Sequence, residues 1–487
     1  MLFNSFAFLL FLPLVVGVHH ALPGRFRWAW LLAASYLFYA WWEPAYTLLI
    51  IASTLIDWTI GLRMPQATPK RRKLLLACSL LVNLGLLVSF KYYNLINGTF
   101  VEWAATFGVD WPIPESSLLL PVGISFYTFQ TLAYAIDVYR GDLKPERHLG
   151  RFALYVAFWP QLVAGPIERA GRLLPQLTVW RPVDAEMFVS GLRRIVWGLF
   201  KKLVVADRVG PIANAIYGDP AAFDGWGVVI GTVCFGYQVW LDFSGYTDIA
   251  IGCARLLGVD LMENFNQPHL STSIRDYWAR WHISLSTWFR DYLYLPLGGS
   301  RVSKARHFVN LFVVFWLCGM WHGASWTFGM WGGANAVFLW VGARTRARRE
   351  AFAERVGLTR VPRIRQTLQV LTTFVIAYSA YPFFRAESLS HWWEVVSRLP
   401  YGWGAALQPG AWEAFCLAVG PNVVWVTAAL LLMPLTDVLQ YLRRDARSRT
   451  WFASLPTPVR WCGDYALLFG VLVFGELSAQ QFFYFQF

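Results

Sequence analysis

The run Leu317-Cys318-Gly319-Met320-Trp321-His322-Gly323-Ala324-Ser325-Trp326 carries one ionisable side chain into the middle of an apolar stretch. His322 stands sixteen residues after Arg306 and twenty-two before Arg344, with no charged residue between them. An imidazole placed so deep in apolar sequence raises the free energy unless partners or a polar cavity receive it, which marks the position as functional. If Arg306 and Arg344 both stay at one membrane surface, the 37 residues between them must go in and come back. Two short helices or a re-entrant pair fit that length, joined near His322, with Gly319 and Gly323 giving close packing or a turn.

The rest of the chain extends this reading. Of its 487 residues 56% are hydrophobic and only 15% charged. The apolar residues fall in blocks near the length of about twenty that crosses a hydrocarbon core. The blocks lie at about 3–19, 28–44, 45–63, 74–91, 118–138, 187–206, 226–242, 307–321, 324–343, 367–384, 415–437 and 461–480. A shorter one, Phe152 to Ala164, is interrupted by Pro160, followed by Gly165-Pro166, and reads as re-entrant or interfacial. The first basic residue is Arg25, so Leu2 to Val18 lacks the charged start of a secretory signal and reads as a retained first span.

The net charge of +13 resides in short loops between the blocks, a topology signal and not a nucleic-acid surface. Arg25/Arg27, Lys70-Arg71-Arg72-Lys73, Arg140 to Arg151, Arg344 to Arg365 and Arg443 to Arg460 are expected in the cytoplasm. Tyr92 to Leu118 has no Lys or Arg after Lys91 but has Glu102, Asp110 and Glu115, and is expected outside, which by alternation puts both termini outside. Six cysteines are scattered without a C-x-x-C pair and read as small core residues, with no disulfide framework and no metal site.

The densest polar and aromatic constellation lies between Ser271 and Ser300. Ser273 and Asp276 have capping-box spacing, and Trp278, Trp281, His282, Leu285, Trp288 and Phe289 recur at helical intervals on one face. Arg275, Arg280 and Arg290 fall off that stripe, as on a helix at a membrane surface or cavity rim. The competing reading is a packing face whose histidine is a hydrogen-bonded core residue. The other histidines (His19, His20, His148, His269, His307, His391) sit in loops or at block ends and read as structural. Asp242-Phe243-Ser244-Gly245-Tyr246-Thr247-Asp248 closes an apolar block, either lining a pathway or forming a capped loop at a helix junction. H-E-x-x-H, G-x-S-x-G and Walker patterns are absent.

At these residues the chain resembles the membrane-bound O-acyltransferase (MBOAT) superfamily and, within it, the bacterial alginate O-acetyltransferase type. The resemblance runs from Phe11-Leu12-Pro13 and Phe38-Tyr39-Ala40-Trp41-Trp42 through Pro121-Val122-Gly123-Ile124-Ser125-Phe126-Tyr127, Leu162-Val163-Ala164-Gly165-Pro166 and Asp242-Phe243-Ser244-Gly245-Tyr246. It continues through Glu263-Asn264-Phe265, Arg280-Trp281-His282-Ile283-Ser284-Leu285-Ser286 and Trp321-His322-Gly323 to Tyr484-Phe485-Gln486-Phe487. It implies an all-α, polytopic transmembrane protein of about 11–12 spanning or re-entrant helices around a buried catalytic tunnel. Residues 1–487 form a single domain in this reading, with about 121–343 as catalytic core and 1–120 and 344–487 as flanking helices.

The resemblance matches His322 to the family's invariant histidine and His282 to its second active-site position. It also implies a bacterial inner-membrane acetyltransferase with no permanently bound cofactor, acetyl-CoA as cytoplasmic donor, periplasmic acetyltransferase partner proteins, and an exopolysaccharide such as alginate as acceptor. A near-neutral imidazole deprotonates an attacking hydroxyl, and the thioester carbonyl needs donors for its developing oxyanion. His322 is therefore expected as general base and His282 as the carbonyl-polarising or orienting partner. Arg275, Arg280 and Arg290 are expected to attract the donor's phosphates. Whether His322 is itself transiently acetylated is left open by the residues. Peptidoglycan, cellulose or lipid acylation, and a transporter or export channel with a midplane proton relay, are the competing expectations.

Overall fold

The computed structural model describes residues 1–444, 451, 454–476 and 482, and every regular element among them is helical. The terminal Tyr484-Phe485-Gln486-Phe487 element and part of the basic 443–460 loop lie outside the described residues. Among the described residues, four helices are long and apolar enough to cross a membrane by length and composition alone: Pro44–Gln66, Pro69–Ala105, Pro362–Arg385 and Val423–Arg444. Shorter apolar helices such as Phe6–Ala21 accompany them. The all-α, multi-pass membrane architecture expected from the apolar blocks is what the chain adopts.

The chain divides into two compact units. One comprises residues 1–195 and 246–263. Its aromatic core gathers Phe8, Phe11 and Phe38 around Trp159, with Phe11 edge-on at 5.3 Å. The Phe152–Ala164 block is here a broken pair of helices, Leu149–Ala157 and Trp159–Leu162, parted at Phe158 just before Pro160. Phe152 to Ala164 are all buried, so protein and not lipid surrounds the interrupted backbone, which is the condition under which such a break is tolerated at membrane depth. Between neighbouring helices the Asp57 carboxylate accepts from Ser79 at 2.5 Å and Asn83 at 2.8 Å, a polar tie inside an otherwise apolar bundle. Arg194 binds Glu263 through two donors, at 2.6 and 2.5 Å, and donates to Asp248 at 2.9 Å.

The other unit comprises the described residues of 196–245 and 264–483. Its most closely packed element is a helical hairpin, Lys304–His322 and Trp326–Arg344, joined by only Gly323-Ala324-Ser325. A Cβ at Gly319 would sit on the Phe328 carbonyl oxygen, and one at Gly332 on that of Phe315. Backbone thus meets backbone at both glycines, as small residues permit between membrane helices. Ser325 caps the second helix through the Thr327 amide. The expected pair of short helices meeting at His322 is present, with Gly319 serving close packing. Gly323 is extended and leaves room for the Phe328 ring, so it too serves packing and not a left-handed turn.

Several local expectations are corrected. The block at 74–91 does not end there: a π-helical segment Val88–Tyr92 carries that span onward into helix Tyr93–Ala105. The block at 415–437 is broken into Ala411–Val419 and Val423–Arg444, with Gly420-Pro421 between them. Asp242 to Asp248 is not a capped loop but lies within one long helix, Gly225–Leu256. Inside this helix the Asp242 carboxylate is ion-paired: Lys202 Nζ lies 2.6 Å from Asp242 Oδ1 and 2.9 Å from Asp207 Oδ1. Lys201 similarly donates to Ser244 Oγ at 2.9 Å. Both lysines lie on the π-helical turn Phe200–Ala206, where the widened helix aims both side chains into the unit.

Candidate active site

His322 ends its helix at the bottom of the hairpin and is 4% exposed. The short connection leaves the imidazole facing Trp321 at 5.0 Å, Trp331 at 5.2 Å and Phe384 at 5.3 Å between ring centroids. Phe384 belongs to the short helix Tyr381–Arg385, which the Thr327 hydroxyl holds to the hairpin by donating to the Ala386 carbonyl at 3.2 Å. The histidine is therefore walled by aromatic rings, each steeply inclined to its own plane, contributed by three segments.

His282 reaches the same place by a different device. The aromatic stripe of residues 278–289 is not one helix: Ile274–Arg280 stops, and Ile283–Phe289 begins after a break at Trp281-His282. His282 is the residue before the second helix and adopts the left-handed conformation, φ 41° and ψ 55°. For a residue with a Cβ this costs on the order of 1–3 kcal/mol, and it persists only where surrounding structure over-determines it. That structure is Asn264, fully buried, whose backbone oxygen accepts from the Ile283 amide at 2.9 Å and whose side-chain oxygen accepts from the Ser284 amide at 3.2 Å. The break keeps the six stripe residues buried while turning the His282 ring inward, against Phe243 at 4.6 Å and Trp321 at 5.8 Å. The capping at Ser273 is as expected: its hydroxyl accepts from Asp276 N, although the Asp276 carboxylate reaches back to Thr272 N.

Forty positions apart in sequence, the two imidazoles stand with ring centroids 6.3 Å apart and planes tilted by 55°. That separation is too long for a ring-to-ring hydrogen bond and short enough for both rings to address a group held between them. The three arginines are not brought to the pair in the same way. Arg280 donates to Asp276 on its own helix at 2.8 Å, Arg290 donates to Asp291 at 2.7 Å, and Arg275 is exposed. Arg275 and Arg290 are exposed and Arg280 is half-buried, whereas His282 is fully buried.

Asn264 was legible only as part of the Glu263-Asn264-Phe265 motif, and its bracing role needs the fold. Lys201, Lys202 and Arg194 were missed within the apolar block at 187–206, where the logic applied to His322 would have marked them. His269, read as a loop residue, is in fact buried, with its Nδ1 3.0 Å from an Asp437 carboxylate oxygen.

Residues 146–355 match the membrane-bound O-acyltransferase family, a span that includes both histidines and all three arginines. The chain is 39% identical over 400 residues to the probable alginate O-acetylase AlgI of Pseudomonas aeruginosa, covering 81% of this chain and 74% of that one. It is 32% identical over 428 residues to the peptidoglycan O-acetyltransferase of Helicobacter pylori, covering 80% and 78%. It is also 30% identical over 239 residues to the teichoic acid D-alanyltransferase of Bacillus subtilis, covering 46% and 60%. Similarity of this extent, meeting a buried histidine pair in an all-helical membrane protein, places the chain in the membrane-bound O-acyltransferase family, as a multi-pass membrane enzyme.

Proposed function

We propose that this enzyme moves an acetyl group from acetyl-CoA, approached from the cytoplasmic side of a bacterial inner membrane, to hydroxyls of an exopolysaccharide such as alginate outside it. The observation that carries the reading is the His282–His322 pair, two imidazoles from separate segments converging at 6.3 Å inside an aromatic enclosure. His322 takes the proton of the attacking hydroxyl as its oxygen bonds to the thioester carbonyl carbon. The carbon–sulfur bond then breaks, and coenzyme A leaves as the thiol after receiving that proton. His282 polarises or orients the carbonyl oxygen. Arg275, Arg280 and Arg290 attract the donor's phosphates. Residues of about 121–343 form the catalytic core of a single domain, and periplasmic partner proteins complete delivery to the polymer.

Support for the acceptor comes from relatives whose names specify alginate; the peptidoglycan-acetylating relative supports the same chemistry on a second class of glycan. Support for sidedness comes from the basic loops, with Lys70 to Lys73 and Arg344 to Arg365 inside and 92–118 and both termini outside. Full-length protein purified in lipid nanodiscs and given acetyl-labelled CoA is expected to release free thiol and transfer label to an alginate oligomer once partner proteins are added. Label appearing on glycan strands of peptidoglycan and not on alginate would transfer the acceptor assignment. Absence of thiol release with either acceptor would overturn the donor. Reporter fusions that place 92–118 in the cytoplasm would overturn the sidedness.

A further inference from the structure

Among the described residues, only Gln267 and His282 are non-glycine residues with positive φ, and both lie on one continuous assembly. Between them the chain is tied at each end to something else. At its far end the 264–270 loop is fastened to helix Val423–Arg444 at three points: Arg444 donates to Asn266, Gln267 donates to the Gln440 carbonyl, and His269 pairs with Asp437. Residues 437, 440 and 444 are spaced to share one face of that helix. At its near end Asn264 receives the amides of Ile283 and Ser284, and Asn266 N donates to the Arg280 carbonyl at 2.9 Å. The loop therefore spans from a long apolar helix to the turn that carries His282.

The central tie is the most elaborate. His269 is 6% exposed, with Nδ1 3.0 Å from Asp437 Oδ2 and Nε2 2.9 Å from the Tyr378 hydroxyl. Tyr237 donates to the same Asp437 oxygen at 2.5 Å, and the His269 ring lies edge-on to Trp240 at 4.4 Å. A neutral imidazole satisfies this arrangement by donating from Nδ1 to Asp437 and accepting at Nε2 from Tyr378. His269 is held by Asp437 and Tyr378 on two different helices, so its position is set by the unit and not by its own short loop.

We propose that His269 and Asp437 are positioning residues: through the 264–270 loop they hold the strained turn that aims His282 at the group between the two catalytic imidazoles. The proposal rests on the assignment of the chemistry to His282 and His322. Positioning of this kind acts on turnover, because a displacement of about 1 Å in a catalytic group can lower rate about 100-fold without touching substrate affinity.

The test compares Asp437→Leu with Asp437→Asn in nanodisc-purified full-length protein supplied with the alginate oligomer and partner proteins, measuring thiol release against acetyl-CoA concentration. Leu keeps the volume and removes both acceptors. Asn can place its carbonyl oxygen where Oδ2 stands and still accept from His269 and Tyr237. Expected is a fall of about 10- to 100-fold in kcat for Asp437→Leu, with KM for acetyl-CoA within about twofold, and recovery to within about threefold of wild type for Asp437→Asn. If Asp437→Leu does not reach the membrane, His269→Gln carries the test, with the same fall in kcat expected and wild-type turnover overturning the proposal. Wild-type kcat in Asp437→Leu, a defect confined to KM, or Asp437→Asn as inactive as Asp437→Leu would each overturn it, the last because the network would then act through charge. His322→Gln run alongside separates the two levels. If it is inactive while Asp437→Leu is normal, positioning alone fails; if it turns over normally, the assignment of the chemistry fails.

Discussion

Replacing His322 by Gln is the perturbation that most directly separates chemistry from packing. The ring is 4% exposed and in contact with Trp321, Trp331 and Phe384, so truncation to Ala would open a cavity among aromatic faces and confound loss of function with loss of fold. Gln keeps most of the volume and a hydrogen-bonding end, but cannot accept a proton at neutral pH. General-base catalysis contributes about 10²- to 10⁴-fold, equivalent to roughly 3–5 kcal/mol of barrier. A packing histidine exchanged for a residue of similar size would alter stability by about 1.5 kcal/mol or less and leave turnover nearly intact. The two explanations therefore differ by at least an order of magnitude in rate. The assay is polymer-bound acetate in cells whose own copy is deleted and replaced at matched expression, paired with thiol release from acetyl-CoA by purified protein and its thermal midpoint in detergent. A His322→Gln protein with a wild-type midpoint and more than about a tenth of wild-type turnover would refute the general-base assignment.

Three further outcomes are expected. His282→Ala should lower kcat by about 10²- to 10³-fold, the range seen on removing one oxyanion donor; adding it to His322→Gln should cost little more, since the pair acts as a unit, and full additivity on a logarithmic scale would argue for independent roles. Gly319→Ala should force the hairpin helices apart at the Phe328 carbonyl and destabilise the protein by about 1–3 kcal/mol, read as a lowered detergent melting temperature; an unchanged midpoint with wild-type activity would contradict the backbone contact. Arg280→Ala should raise KM for acetyl-CoA about tenfold at high-salt-sensitive rates and leave kcat within about threefold; a defect in kcat alone would assign Arg280 to its ion pair with Asp276 and not to the donor.

The sequence by itself determined that the chain is an all-helical, multi-pass membrane protein, because a backbone in hydrocarbon must satisfy its own hydrogen bonds and apolar blocks of about twenty residues have no other means of crossing. It also determined the hairpin at His322: 37 uncharged residues between two arginines, with glycines near the middle, leave few other paths. A histidine in the middle of such a stretch is conspicuous for the same reason. What it did not determine is anything that depends on one segment acting on another. The periodicity of 278–289 is helical, yet the helix breaks at His282, because two amides that would have continued it are taken by Asn264, eighteen positions earlier. Asp242 reads as the end of a span by its charge, and only the fold shows it inside a continuous helix with its carboxylate paired to Lys202, which a π-helical turn carries. His269 is an unremarked loop residue until Asp437, 168 positions later, is beside it. Local propensity and hydropathy are properties of neighbouring residues and can be read in order along the chain. Neutralisation of a buried charge, and the strain of a left-handed histidine, are settled by partners that only the tertiary structure brings within hydrogen-bonding distance.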